Sequence, residues 1–117
     1  MRGRKNMKVD ILGTEYKIEY IAEKDDPRLE TSNGYFDHST KRIVVGRPER
    51  EEMSIGDLEV FTKKVLRHEI IHAFLYESGL WENSNNIDAW GMNEEMTDWI
   101  AMQFPKMLKA FKEAGAL

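Results

Sequence analysis

The chain lacks cysteine and long apolar runs, and these two absences exclude several classes of protein. With no cysteine among its 117 residues, neither a disulfide framework nor a thiolate metal site can form. No stretch approaches the roughly 18 apolar residues of a membrane-spanning helix. The basic residues 1–6 are not followed by the apolar segment of a secretory signal, so we interpret them as a frayed tail and expect a cytoplasmic protein with no membrane partner.

An excess of positive charge is also missing. The formal net charge is −4, which argues against nucleic acid as a partner because such partners normally require a basic face. The composition, 41% hydrophobic and 32% charged, is that of a globular chain, and the length fits one domain, for which about 100–150 residues is the commonest size. We therefore expect a single domain over residues 1–117, and its oligomeric state is left open.

The first half of the chain has the pattern of β-strands. Met7 to Leu12 and Glu15 to Ile21 flank a two-residue turn that contains glycine, and polar and apolar side chains alternate along the second segment. A second pair, Tyr35 to Asp37 and Arg42 to Val45, is separated by a polar turn. Ala22 to Ser32 is charged and without periodicity, so we predict a loop there.

The second half has the pattern of helices. Leu58 to Ser78 contains no glycine or proline and lies between Asp57, a good N-cap, and Gly79, a good C-terminal cap. Its apolar residues cover more than one face, which predicts a buried central helix. A second helix is predicted from near Asn93 to about Ala114, with a kink or break at Pro105. The expected fold is α+β: a small, twisted, mainly antiparallel sheet packed on the central helix, with the second helix beside it.

The central helix contains the motif His68-Glu69-Ile70-Ile71-His72. Residues four apart lie on the same helical face, so His68 and His72 can present two imidazoles to one zinc ion (Zn²⁺). Glu69 would lie beside the metal and can act as the general base toward a metal-activated water. The alternative is a structural helix that carries two histidines by chance, but shuffling this composition gives the motif in roughly one chain in two hundred.

A second motif supplies a family resemblance. Asn93-Glu94-Glu95-Met96-Thr97-Asp98, at the start of the last helix, resembles the Asn-Glu-x-x-Ser-Asp segment of gluzincin metallopeptidases, the thermolysin-like group. The resemblance implies that Glu94 is the third metal ligand and that Asp98 orients His68 through a hydrogen bond. Thr97 stands where the family usually has serine.

The residues alone leave the third ligand open. Glu94 and Asp98 are four apart and can share a helical face toward the motif helix. Glu95 is the main competitor as ligand. Both glutamates are also favourable first-turn charges at a helix N-terminus without any metal.

The wider resemblance is to short, single-domain relatives in phage and mobile-element genomes, near the ImmA/IrrE-like metallopeptidases. It implies a hydrolase of the zincin-like type, a zinc metallopeptidase acting on a peptide or protein substrate, with an edge strand within Tyr35 to Val45 binding the substrate. The chain departs from these families in lacking a second lobe, a clear Glu-x-Glu-Ala-Asn segment and a helix-turn-helix partner.

Two alternatives are kept beside the peptidase. One is a zinc-binding module that captures a peptide without hydrolysing it, and the other is a helix that binds no metal. Three side chains are candidate donors to an oxyanion, although each also fits a structural role: Tyr35, His38 and Tyr76. Structural anchors are expected at Trp81, Trp90 and Trp99, and the solvated side of the motif helix at Lys63, Lys64 and Arg67.

Overall fold

The computed structural model describes residues 6–47, 55–81 and 90–117 as four strands followed by two long helices. The strands are β1 (Met7–Ile11), β2 (Thr14–Ala22), β3 (Gly34–Asp37) and β4 (Arg42–Arg47), and the helices are α1 (Ile55–Glu77) and α2 (Glu94–Glu113). Short 3₁₀ segments occupy Glu23–Asp25, Pro27–Glu30 and Trp90–Met92. The expected α+β class and both predicted strand pairs are confirmed.

A tight turn sets the register of the first hairpin. Leu12 and Gly13 both have positive φ, 51° and 92°, as the two central residues of a type I′ turn require, so the turn lies one residue before the predicted Gly13-Thr14. Along β2 the side chains of Tyr16, Ile18 and Tyr20 are buried, and those between them face outward. The alternation read from the sequence therefore separates the two faces of this strand.

The sheet is mixed, with strand order β1-β2-β4-β3. β1 pairs with β2 and β3 with β4 in antiparallel fashion, but the two central strands, β2 and β4, run parallel from Lys17 beside Arg42 to Ala22 beside Arg47. Two of the three pairings are antiparallel, in agreement with the expected mainly antiparallel sheet, and the parallel central pairing makes the sheet mixed. The chain between the two strands is long enough for a parallel crossover, which short hairpin loops are not. Two 3₁₀ segments lie within the predicted loop.

The core lies between the sheet and α1. Ile43, Val44 and Val45 are at most 1% exposed, as expected for a central strand covered on both faces. β3 approaches α1 closely at Gly34, where a Cβ would lie 2.7 Å from the Val44 carbonyl oxygen and 2.9 Å from Val65 Cγ1. Only glycine permits this approach, and it places the outer strand of the described sheet beside the motif helix.

The C-terminal end of α1 is bound to the sheet through Glu77. Its carboxylate accepts hydrogen bonds from the Tyr16 hydroxyl at 2.6 Å, the Thr14 hydroxyl at 3.0 Å and Lys41 Nζ at 3.1 Å. The Tyr16 bond, and after it those from Lys41 and Thr14, lower the pKa of Glu77. The network joins α1 to both hairpins.

Three of the four helix ends agree with the sequence prediction, and the start of α1 differs. Gly79 ends α1 with φ 91°, and Asn93 caps α2 by accepting from the Met96 N–H. Lys112 lies in the last turn of α2 and Glu113 ends it, close to the predicted terminus. α1 already begins by Ile55, so Asp57 lies inside the first turn and the predicted N-cap there is wrong.

Pro105 lies within a continuous α2, so the predicted break is also wrong. At the other end of the chain, residues 1–5 of the expected tail lie outside the described residues, whereas Asn6 Oδ1 accepts from the Tyr20 N–H at 3.1 Å. No helix in the described ranges combines the length and apolarity needed to cross a bilayer.

Candidate metal centre

The two histidines and the glutamate of the motif lie side by side on the cleft-facing side of α1. His72 is 4% exposed and Glu69 is 7% exposed, whereas His68 is half-buried. The imidazole centroids of His68 and His72 are 4.8 Å apart. The i, i+4 spacing therefore brings both rings to one place, as the sequence predicts.

The first turn of α2 faces these rings, and its sequence explains why. The Asn93 side chain accepts the Met96 N–H at 2.6 Å, which fixes the start of the helix. Thr97 is fully buried, and its hydroxyl donates to the Asn93 carbonyl at 2.8 Å. Glu94 is thus the first residue of the helix, and Asp98 follows one turn later on the same face.

Three donor atoms converge at this point. Glu94 Oε1 lies 3.0 Å from His68 Nε2 and 3.2 Å from His72 Nε2, and ligand atoms of all three side chains lie within 4.8 Å of one another. Tetrahedral zinc with bonds of about 2.0–2.1 Å separates its ligand atoms by roughly 3.3–3.5 Å. The two separations that involve Glu94 Oε1 are close to this value, so two imidazoles and a carboxylate could hold a metal ion here.

Asp98 fixes the orientation of His68. Its Oδ1 lies 3.0 Å from His68 Nδ1 and also accepts from Lys64 Nζ at 2.9 Å. The Lys64 bond, and after it the contact with His68, lower the pKa of Asp98, so its carboxylate is ionised and accepts the Nδ1 proton. A histidine that ligates a metal must be neutral at the coordinating nitrogen, and a proton held on Nδ1 by Asp98 would leave Nε2, 3.0 Å from Glu94 Oε1, available to a metal.

On its Nδ1 side, His72 is held by burial rather than by a polar partner. Burial lowers its pKa, which favours the neutral imidazole that a metal ligand must be. Its Nδ1 is buried without a hydrogen-bond partner among the described residues. Phe36 stacks at 6.4 Å and Trp81 meets the ring edge-on at 5.6 Å, so aromatic contacts fix the orientation of this imidazole.

Glu69 is the most perturbed carboxyl group of the site. Burial raises its pKa to about 7, with a smaller contribution from the charge of Glu94, while His68 acts in the opposite direction. A bound divalent cation would lower this pKa again, because its charge is the largest in such a site. The position of Glu69 beside two ligand side chains is what the sequence predicts for a general base.

These side chains open onto one cleft of about 530 Å³, which β3 borders on the opposite side. Because β3 lies at one end of the strand order, one of its backbone edges has no partner strand in the described sheet. The described residues around the cleft include, besides the site, Ser32, Asn33, Gly34, Tyr35, Phe36 and Trp81. Within the predicted range Tyr35 to Val45, β3 rather than the central β4 is therefore the accessible strand.

The other residues that were considered as a metal ligand or as an oxyanion donor are not part of the group formed by His68, His72 and Glu94. Glu95 does not belong to the metal-binding group, which contains Glu94 instead. The Tyr35 hydroxyl donates to Asp26 at 2.5 Å and is already engaged. His38 and Tyr76 stack on one another at 4.5 Å and are not among the described residues that line the cleft.

Sequence analysis misplaced several residues around the site. Lys64 and Arg67, expected on the solvated side, are half-buried against α2, where Arg67 Nε donates to the Ala101 carbonyl at 2.6 Å. Lys64 precedes His68 by one helical turn, a spacing that could have pointed to the site. Trp81 is confirmed as an anchor, but Trp99 is 56% exposed. The Trp90 side chain lies outside the described part of the structure.

Comparison with protein-family models, with curated proteins and with solved structures gives no significant match. The gluzincin resemblance therefore stays a prediction that rests on the two motifs. Function has to be argued from the geometry and chemistry of the site itself, since a fold does not determine an activity.

Proposed function

We propose that this chain is a zinc-dependent metallopeptidase that hydrolyses peptide bonds by activating a water molecule. The observation that carries the proposal is a single arrangement: donor atoms of His68, His72 and Glu94 meet at one point, beside the buried carboxyl group of Glu69. All four side chains open onto the same cleft. Two histidines with a purely structural role would not require a carboxylate of a second helix to meet both imidazoles.

Two histidines and one glutamate are a ligand set of catalytic zinc sites, which keep a further position for water or substrate. When bound there, zinc would supply the Lewis acidity that polarises a carbonyl group and makes water a nucleophile near pH 7. Asp98 supports this assignment because a carboxylate on the far nitrogen of a ligating histidine fixes the tautomer and raises the basicity of the ligand.

Glu69 would move the protons of the reaction. Its carboxylate takes a proton from the water as the water oxygen bonds to the scissile carbonyl carbon. The same proton is then delivered to the amide nitrogen as the carbon–nitrogen bond breaks. A glutamate next to a ligand on a rigid helix is well placed for both transfers because it need not move between them.

β3 is the expected binding strand for the substrate. An extended peptide can pair with the unpartnered backbone edge of β3 and so lie across the cleft opposite α1. Main-chain hydrogen bonds would then hold substrates of many sequences, while side chains along the cleft select among them. A peptide or protein substrate is therefore the class that the cleft fits best.

One observation favours a second function, a zinc-binding module that captures a peptide without cleaving it. A peptidase benefits from a donor aimed at the oxyanion, and the sequence candidates do not supply one: Tyr35 is bound to Asp26, and neither His38 nor Tyr76 lines the cleft. Such a module would use the same metal ligands and the same strand edge.

Substitution of Glu69 separates the two functions. We expect Glu69→Gln to bind zinc like the wild type but to hydrolyse a mixture of fluorogenic peptides at least about 100-fold more slowly, the usual effect of losing a general base. Glu95→Gln is the matched control and should keep both properties. The zinc-binding module would be established instead if the zinc-loaded wild type binds these peptides but cleaves none of them, and if Glu69→Gln binds them with the same affinity.

A further inference from the structure

The backbone of α2 lacks one hydrogen-bond donor opposite the motif. Pro105 lies inside the helix and has no N–H, so the carbonyl of Ala101, four residues earlier, loses its usual helical partner. Ala101 is fully buried. A buried carbonyl without a partner destabilises the fold, so an acceptor at this position requires a donor from elsewhere.

Arg67 of α1 supplies that donor. Its Nε donates to the Ala101 carbonyl at 2.6 Å, across 34 positions of sequence. Arg67 directly precedes His68, and Ala101 follows Asp98 by three residues, so this bond joins the two helices next to the converging ligands. The proline on one helix and the arginine on the other are complementary, since residue 105 with an N–H would compete for the same carbonyl.

We infer that Arg67 is a positioning residue of the metal site, and that Pro105 is the reason it can act. The bond sets how far α2 lies along α1, and this axial position decides whether Glu94 and Asp98 meet the histidines. Glu94 has a side chain that is 68% exposed, so little packing holds it in place and its position depends on how α2 docks. The inference rests on the proposed function, because it assumes that Glu94 is a metal ligand.

Two substitutions at position 67 test the bond. Arg67→Met keeps the length and apolar body of the side chain but removes the donor. Arg67→Gln places an amide N–H the same number of bonds from the backbone as Nε, without the charge. A third variant, Pro105→Ala, returns a backbone N–H that competes with Arg67 for the Ala101 carbonyl, so it should weaken zinc binding by itself and leave little further weakening for Arg67→Met to cause.

The measurement is the dissociation constant for zinc, from competition with a chelator, together with the visible spectrum of the Co²⁺-loaded protein. Changing groups that orient metal ligands usually weakens binding by about 10–100-fold, and we expect roughly tenfold for Arg67→Met. Arg67→Gln should restore most of the affinity and the cobalt spectrum of the wild type. In the Pro105→Ala background, Arg67→Met should weaken binding by less than about threefold, because the two positions are coupled.

Controls separate positioning from stability and from the proposed function. Ile11→Val destabilises the buried sheet core away from the cleft and should leave zinc affinity unchanged. If Arg67→Met fails to fold, Arg67→Gln and the double variant still give the comparison. Equal zinc affinity in the wild type and Arg67→Met, or equal weakening by Met and Gln, would overturn the inference while the metal site stands. A wild type that binds neither metal overturns the proposed function, and the inference with it.

Discussion

Two adjacent glutamates at the start of α2 have different surroundings. Glu94 is the first helical residue and its Oε1 lies near both imidazoles, whereas Glu95 is rotated by about 100° around the helix axis. Both are exposed and both stand at the favourable end of the helix dipole. Local electrostatics is therefore the same for Glu94 and Glu95. What distinguishes them is the orientation of α2 relative to α1, which directs Glu94 toward the imidazoles.

We expect Glu94→Gln and Glu95→Gln to differ in metal content. A neutral amide is a poor zinc ligand, so protein with Gln at position 94 should retain little zinc after dialysis, and protein with Gln at position 95 should retain about one ion per chain, as a single site requires. Elemental analysis of untagged protein measures this. The reverse order would assign the third ligand to Glu95.

The sequence predicted the residues of the site better than their surroundings. The pairing of His68 with His72 follows from helical spacing, which is a local property, and the role of Asp98 is what the resemblance of the second motif implies. Lys64 and Arg67 were misplaced because a charged side chain looks the same in sequence whether it faces water or an acceptor on a neighbouring helix. Trp81 comes to His72 through tertiary packing, which no spacing in the chain encodes.

At the scale of elements, Glu77 determines how the last turn of α1 is held. Its carboxylate accepts from three donors on two hairpins, and its side chain is 13% exposed. Removing its charge by an amide would replace one of the two acceptor oxygens with an NH₂ group and weaken the bonds from Tyr16 and Lys41. Glu77 therefore holds the end of α1 against both hairpins, in addition to the apolar packing of the helix on the sheet.

Glu77→Gln should lower the free energy of unfolding by about 1–3 kcal/mol near pH 7, the usual cost of losing a buried charged acceptor. Because the folded pKa of Glu77 is depressed, this stabilisation is present above the ordinary pKa of 4.5 and is lost as the pH falls through the folded value. Urea unfolding at pH 7 and at several values below 4.5 measures the difference, which should shrink in acid.

The matched control is Glu15→Gln, whose partner Lys8 and own side chain are both exposed. It should change stability by less than about 0.5 kcal/mol at any of these pH values. A difference between wild type and Glu77→Gln that does not vary with pH would contradict an ionised acceptor.

Helices, turns and helix ends that depend on neighbouring residues could be predicted from the sequence, whereas the pairing of strands distant in the chain could not. The first hairpin follows from its turn and its alternation, and the end of α1 follows from Gly79. The parallel pairing of β2 and β4 has no local signal, because the sequence of a strand does not determine whether its neighbour runs parallel or antiparallel. Pro105 was expected to break α2 because the sequence did not show that Arg67 would supply the missing donor.

At the scale of the whole molecule, a bound metal would join the two helices. Two of its ligands come from α1 and one from α2, and the chain between these helices includes residues 82–89 outside the described ranges. A ligand that binds only the folded protein stabilises it by mass action. The metal would therefore contribute to stability as well as to chemistry.

Zinc at 100 times its dissociation constant should raise the midpoint of thermal unfolding by roughly 10 °C, from a stabilisation of about 2.7 kcal/mol. Calorimetry with zinc and with a chelator measures the shift. His72→Gln should abolish it, and an unchanged wild-type midpoint would mean that the folded chain has no such site.

The parallel pairing of β2 with β4 also has a consequence for how fast the chain folds. Each hairpin can close on its own within about 1–10 μs, but the two can join only after the segment 23–33 between β2 and β3 has formed a loop. Non-local pairing of this kind sets the folding rate of small domains. We expect the joining of the hairpins to be the slow step, so that Ile43→Val slows refolding in stopped-flow experiments more than it accelerates unfolding. In that order of events the two long helices would dock onto a sheet that has already formed, and bound zinc would act mainly by delaying the loss of the folded state.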